Sequence, residues 1–143
     1  MNRERIDLKR WVMAAIGAFG VIFVGDYVIH NLWLGGFYRA HASWWRAPQE
    51  MQALMGVLIL SELTLAALLA LVYAKGYESG RGAAGQGLRF GFLMGVLLYV
   101  PGVLMKHFVY PYPALLLLNW MLGGLIEITV AGTVIGFLYK PEK

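Results

Sequence analysis

Four apolar stretches, at residues 11–34, 51–73, 88–109 and 114–139, constrain this chain more than any other feature. Each is 22 to 26 residues long. At 1.5 Å rise per residue, a helix of that length crosses a hydrocarbon core about 30 Å thick. A chain inside lipid must satisfy its backbone internally, and a helix does so. The expected fold is therefore an all-α membrane protein, a bundle of four transmembrane helices forming one integral membrane domain over residues 1–143. Composition agrees: 59% of residues are apolar, 14% are charged and mean hydropathy is +0.63, whereas soluble domains are about half apolar and a quarter charged. The chain has no cysteine, which excludes disulfides, thiolate metal sites and thiol redox chemistry.

The net charge of +4 reads as a topology signal rather than as nucleic-acid binding, because the basic residues flank the apolar runs. With the N-terminus in the cytoplasm, nine Lys/Arg fall on the cytoplasmic side and three (Arg39, Arg46, Lys106) on the other. The positive-inside rule thus predicts cytoplasmic termini at both ends. The charged leader at residues 1–10 precedes an apolar run without a small-residue cleavage site, which fits an uncleaved signal anchor. Residues 35–47 carry Phe37, Tyr38, Arg39, His41, Trp44, Trp45 and Arg46, a mixture suited to the headgroup layer. Pro48 suits the first turn of the second helix, and residues 75–87 read as a Gly-rich flexible turn. Gly87, Gly91 and Gly95 recur every four residues, a face on which a neighbouring backbone can approach closely. That face is the expected interface for a homodimer or a larger membrane complex. Pro101 should kink the third helix.

Two apolar runs carry a glutamate in the same context, Glu62-Leu63-Thr64-Leu65-Ala66 and Glu127-Ile128-Thr129-Val130-Ala131. The spacing Gly25-x4-His30 recurs as Gly102-x4-His107. Spans three and four therefore read as a copy of spans one and two, two hairpins in parallel orientation about a pseudo-two-fold along the membrane normal. Chance among Leu-, Ala- and Gly-rich spans is the competing explanation. Val103 stands where the first copy has Asp26, so the copies differ at one acid.

Charged residues inside a membrane are costly, face the protein interior and are functional candidates by default. Counted along their helices, Glu62 and Glu127 fall near the midplane and Asp26 slightly outside it. His30, Lys106 and His107 lie further out. Asp26 and His30, four apart, share a helix face. Glu62 lines up with Ala66 and Ala70, and Glu127 with Gly123 and Ala131, the small faces expected between packed helices.

Several uses compete for these residues. The acids can simply hold the bundle together by bonding Lys106, His30, His107, Tyr99 or Asn119. They can form a proton or ion path, with Asp26, His30, Glu62, Glu127, His107, Lys106 and Tyr99 as ligands or relays opening to the outer face, for transport or sensing. Asp26, His30, His41, Glu62, Glu127 and His107 are adequate ligands for Zn, Cu or Fe, as in a metal-binding accessory subunit. A haem held by His30 and His107 is a variant of that reading. An enzyme acting on a lipid-like substrate ranks below these, since no nucleophile elbow, metalloprotease motif or phosphate loop is present. Thr64 and Thr129, two residues beyond their glutamates, are expected to bond the preceding turn.

Locally, Asp26-x3-His30-x10-His41 resembles the Asp-x3-His-x12-His copper motif of the membrane C subunit of particulate methane and ammonia monooxygenases, with a gap two residues shorter. As a whole, the size, four spans and polar first helix resemble the small bacterial inner-membrane proteins grouped as families of unknown function. That resemblance implies an integral protein of the bacterial inner membrane and no particular activity.

Overall fold

The structure, a computed structural model, describes residues 6–140. Among them there are helices and turns but no strands. Helix α1 spans Leu8–Asp26 and passes into a π-helical stretch, Tyr27–Trp33. Short helices α2 (Gly35–Ala40) and α3 (Pro48–Ala53) follow, with a 3₁₀ turn at Ala42–Trp44 between them. Helices α4 (Met55–Lys75), α5 (Ala83–Val109) and α6 (Ala114–Leu138) complete the fold. Among the described residues, four segments are long and apolar enough to cross a membrane: Leu8–Trp33, α4, α5 and α6. The chain is an integral membrane protein with an all-α four-helix bundle, as the apolar runs predict. The expected location of the termini in 1–5 and 141–143 lies outside the described residues.

Helix boundaries differ from the sequence expectation where local chemistry is specific. The first helix begins before Trp11 because Asp7 caps it, its side chain accepting from the Arg10 N–H at 3.0 Å. The third begins at Ala83, inside the stretch read as a flexible turn. The second is split: Pro48 opens α3 as expected, but the helix is interrupted at Leu54 before α4 begins. Pro101 lies within an α5 that is helical on both sides of it.

The packing is two consecutive hairpins joined through α1 and α6. Helix α1 lies against α4 and α6, and α6 lies against α5. Between α1, α4 and α6 sits the main core, where Ala14, Ala18, Ala66, Ala70 and Ala131 let the helices close on Ile22, Ile128 and Ile135. Trp11 pins α1 to α4, its indole N–H donating to the Ala67 carbonyl at 3.1 Å. Only the Glu62–Lys75 part of α4 takes part, since every residue from Met51 to Ser61 is exposed to the surroundings. Aromatic clusters close both ends of the bundle. Tyr73, Tyr77, Phe90 and Tyr139 lie at the end near the termini. Trp44, Trp45, Tyr110, Tyr112 and Trp120 lie at the other, which we call the aromatic end.

The face of Gly87, Gly91 and Gly95 is not a free interface. It is consumed within the chain against α6, where a side chain on Gly91 would fall 2.6 Å from the Ile128 carbonyl and 2.8 Å from Thr129 Cα. Gly132 and Gly136 face it from α6, so the two backbones touch without intervening side chains. The expectation of a dimer through this face is thereby corrected: small residues mark a close approach, and α6 is the helix that makes it.

Gly91→Leu should therefore separate α5 from α6 and destabilise the protein by about 1–3 kcal/mol or more, the usual cost of overpacking. Gly85→Ala, at a helical glycine with open space around it, should instead be neutral or stabilise by up to about 1 kcal/mol. Thermal unfolding of the two variants in the same detergent checks the contrast.

Candidate functional site

Three acids from three helices meet in the interior. Asp26 ends the α-helical part of α1, Glu62 begins the packed part of α4, and Glu127 sits halfway along α6. The alanine and glycine faces beside the glutamates are buried as expected, including Ala66, Ala70, Gly123 and Ala131. This rotation carries both glutamates inward, to 4% and 5% exposure. Asp26 is the hub of the cluster. A side-chain hydrogen bond links it to Glu62, and its charge is felt by Glu127, as is that of Glu62. Tyr99 of α5 donates to Glu127 Oε2 in a long bond of 3.4 Å. Glu62 Oε2 and Glu127 Oε1 are buried without a partner. Buried unsatisfied polar atoms are uncommon in folded proteins, and each calls for an explanation.

From Asp26 a second set of bonds runs toward the aromatic end. His30 Nε2 lies 3.5 Å from Asp26 Oδ1, and His30 Nδ1 lies 2.7 Å from the Tyr38 hydroxyl. The Trp120 indole N–H donates to the same hydroxyl at 2.7 Å. Indole is a donor only, so Tyr38 accepts from Trp120 and has its own O–H to give to His30 Nδ1. That leaves the imidazole proton on Nε2, facing Asp26. Burial pushes the Tyr38 phenol above its usual range, opposed by the Trp120 bond and helped by the charge of Asp26. The hydroxyl is therefore a stable donor across physiological pH.

Two spaces adjoin Glu127. A cavity of about 260 Å³ runs from Lys106 and Trp120 near the aromatic end, past His30, Ile29 and Val103, down to Asp26, Tyr99, Gly124 and Glu127. A second, wider space of about 660 Å³ lies between α1 and α6. Its walls are Gly17, Gly20, Val21, Val24, Gly25 and Val28 on one side and Gly123, Ile126 and Val130 on the other. Glu127 borders this groove as well, but its Oε1 packs against Gly25, where a Cβ would collide with it, and is closed off from the surroundings.

Of the residues expected from sequence, Asp26, His30, Tyr99, Lys106 and Glu127 line the polar cavity, and Glu62 joins through Asp26. The others are elsewhere. His107 is exposed on α5. His41 is held in the aromatic end, bonded to the Phe37 carbonyl at 3.0 Å and stacked on its ring. Among the described residues no three His, Asp or Glu side chains are grouped as a metal ion requires. The six metal candidates, Asp26, His30, His41, Glu62, Glu127 and His107, are thus not assembled into one centre. His41 is packed on Phe37 and His107 is exposed on α5, and the three acids with His30 are not close enough together to share one ion. Thr64 and Thr129 bond the preceding turn as expected, at 2.7 Å to Leu60 O and 2.6 Å to Leu125 O.

Sequence reasoning missed Tyr38 and Trp120 as partners of His30. Tyr38 is eight residues beyond His30 and Trp120 is on another helix, so no periodicity relates them. The aromatic density of residues 35–47 is the only signal that points there.

Tyr38→Phe removes the acceptor of the Trp120 indole and the donor to His30 Nδ1 together. It should cost about 0.5–1.5 kcal/mol, since a partly buried donor loses its partner, and shift tryptophan emission. Thermal unfolding and fluorescence of the purified variant measure both. No protein-family model matches the chain, and no curated protein or solved structure does either.

Proposed function

We propose that the protein binds a proton or a small polar ligand at the Asp26–Glu62–Glu127 cluster, in the service of transport or sensing. The observation that carries this reading is the meeting of three carboxyl groups on three helices, with two buried oxygens unpartnered. Two like unit charges 4 Å apart repel by about 4 kcal/mol at an effective dielectric of 20. Such a cluster is stable only when positive charge joins it. A hydrogen bond between two carboxyls, as at Asp26 and Glu62, itself requires a proton on one of them. The polar cavity supplies a route, with Lys106 at its mouth and His30 and Asp26 along its wall. By the positive-inside reading of the sequence that mouth faces the outer side of a bacterial inner membrane. Placement of the acids at the helix contacts, rather than at lipid, supports the same view.

A structural reading competes, in which the acids only knit α1, α4 and α6 together. Unpartnered oxygens argue against it, because a polar group kept for packing alone is normally bonded.

Infrared difference spectra between acidic and alkaline buffer should show a protonated-carboxyl band that Asp26→Asn, Glu62→Gln and Glu127→Gln each remove or shift. Proton flux into proteoliposomes then separates transport from sensing. A parent spectrum without such a band, with a triple amide variant that retains every measured behaviour, sinks the proposal. Glu127→Gln keeps the shape and removes a charge with an unpartnered oxygen, so its thermal stability should equal the parent's or exceed it by about 1 kcal/mol.

A further inference from the structure

We propose that the polar cavity beside the acids is a binding site for an ω-amino acid, a zwitterion whose ammonium pairs with Asp26 and whose carboxylate pairs with Lys106 across a short apolar stem. This inference rests on the reading that the acid cluster takes a small polar ligand, and it names the class. The walls are ordered to suit such a molecule. Asp26 and Glu127 lie at the inner end, Lys106 lies at the mouth, and Ile29, Val103 and Trp120 line the stretch between them. The cavity holds about 260 Å³, below the usual range for drug-sized ligands, so the occupant is small. Neither charged end is neutralised by its neighbours. Among the described residues no carboxylate stands within ion-pair distance of Lys106, and no Lys or Arg stands within that distance of Asp26, Glu62 or Glu127.

Asp26 is the acid within reach. Its side chain is 29% exposed, whereas Glu127 Oε1 is closed off against Gly25. The Asp26 carboxylate has one contact with His30 and one with Glu62. A carboxylate offers about four acceptor sites, which leaves room for an ammonium. One proton shared between Asp26 and Glu62 still leaves the three acids negative, and Glu127 adds to that field. At the other end, Lys106 lies seven residues beyond Tyr99 on α5, about 10 Å along the axis. Helical side chains lean toward the start of their helix, which carries the Lys106 ammonium back toward the acids. The walls set the length of the stem. His30 is four residues beyond Asp26 and Trp120 four before Gly124, about 6 Å along the axis in each case. An extended chain of five bonds, each about 1.5 Å, covers about the same distance, and 5-aminopentanoate has that separation between nitrogen and carboxyl carbon. An α-amino acid holds its two charges too close together to meet both ends. An amine alone leaves Lys106 unpaired, and a carboxylate alone meets the acids as a like charge.

5-Aminopentanoate and 2-aminopentanoate make the test, since they have the same atoms and charges and differ only in how far apart the charges stand. The first should raise the unfolding temperature of the purified full chain by several degrees in a saturable manner. The second should not, and neither should pentanoate or pentylamine. Lys106→Gln changes an exposed position and should keep the helical circular dichroism of the parent. It should weaken 5-aminopentanoate binding about tenfold, as expected for the loss of one hydrogen bond between charged groups, and Lys106→Arg should retain the binding. Asp26→Asn should weaken it from the other end. Equal effects of the two isomers, no effect of either, or unaltered binding by Lys106→Gln overturn the proposal. An equal effect of pentylamine overturns it in favour of a site for simple amines. The infrared carboxyl band is read on the protein without added ligand. A band without 5-aminopentanoate binding overturns this inference and leaves proton binding at the acids standing, whereas the absence of both removes the two together.

Discussion

The contact on which the rest depends is backbone against backbone, where Gly87 and Gly91 of α5 meet Gly132 and Gly136 of α6. Association of helices in lipid gains little from the hydrophobic effect, because lipid chains are as apolar as leucine. Close van der Waals approach and polar bonds must supply the difference. By fixing one side of α6 against α5, the glycines fix the rotation of α6, and this turns Ile128, Ala131 and Ile135 toward the core shared with α1 and α4. Glu127 rides on the same face. An intramembrane acid is thus oriented by residues that have no side chains at all.

Asp26 is the second organising element, because it belongs to two networks. Toward α4 and α6 it meets the glutamates, and toward the aromatic end it meets the His30–Tyr38–Trp120 bonds. A change of charge at the midplane is therefore one imidazole away from the aromatic layer of residues 37–45. Tyr99 closes the other side of Glu127 from α5, lying over Gly124 where a Cβ would collide with its ring.

The bundle was legible in the sequence because a span must be about 20 apolar residues long, and nothing else makes four such runs. The inward rotation of Glu62 and Glu127 was legible from Ala66, Ala70, Gly123 and Ala131, since small residues at helical spacing mark the packed side. Which helix each small face meets was not. Gly87, Gly91 and Gly95 announce a close neighbour, but whether that neighbour is in the same chain is decided by three-dimensional packing. The meeting of Asp26 with both glutamates was equally hidden, because it depends on α1 lying between α4 and α6. The bond between His30 and Tyr38 depends on the π-helical Tyr27–Trp33 stretch and the turn into α2, for which a single sequence carries no clear signal. Depth along a helix is readable from counting; the choice of partners across helices is not.

The first part of α4 has one more consequence. From Met51 to Ser61 no residue is buried against the rest of the protein, so the helix leaves the bundle at the very residue that carries an acid, Glu62. Glu62 is therefore the first residue of α4 that the other helices cover, and the eleven residues before it are held only by what surrounds the bundle.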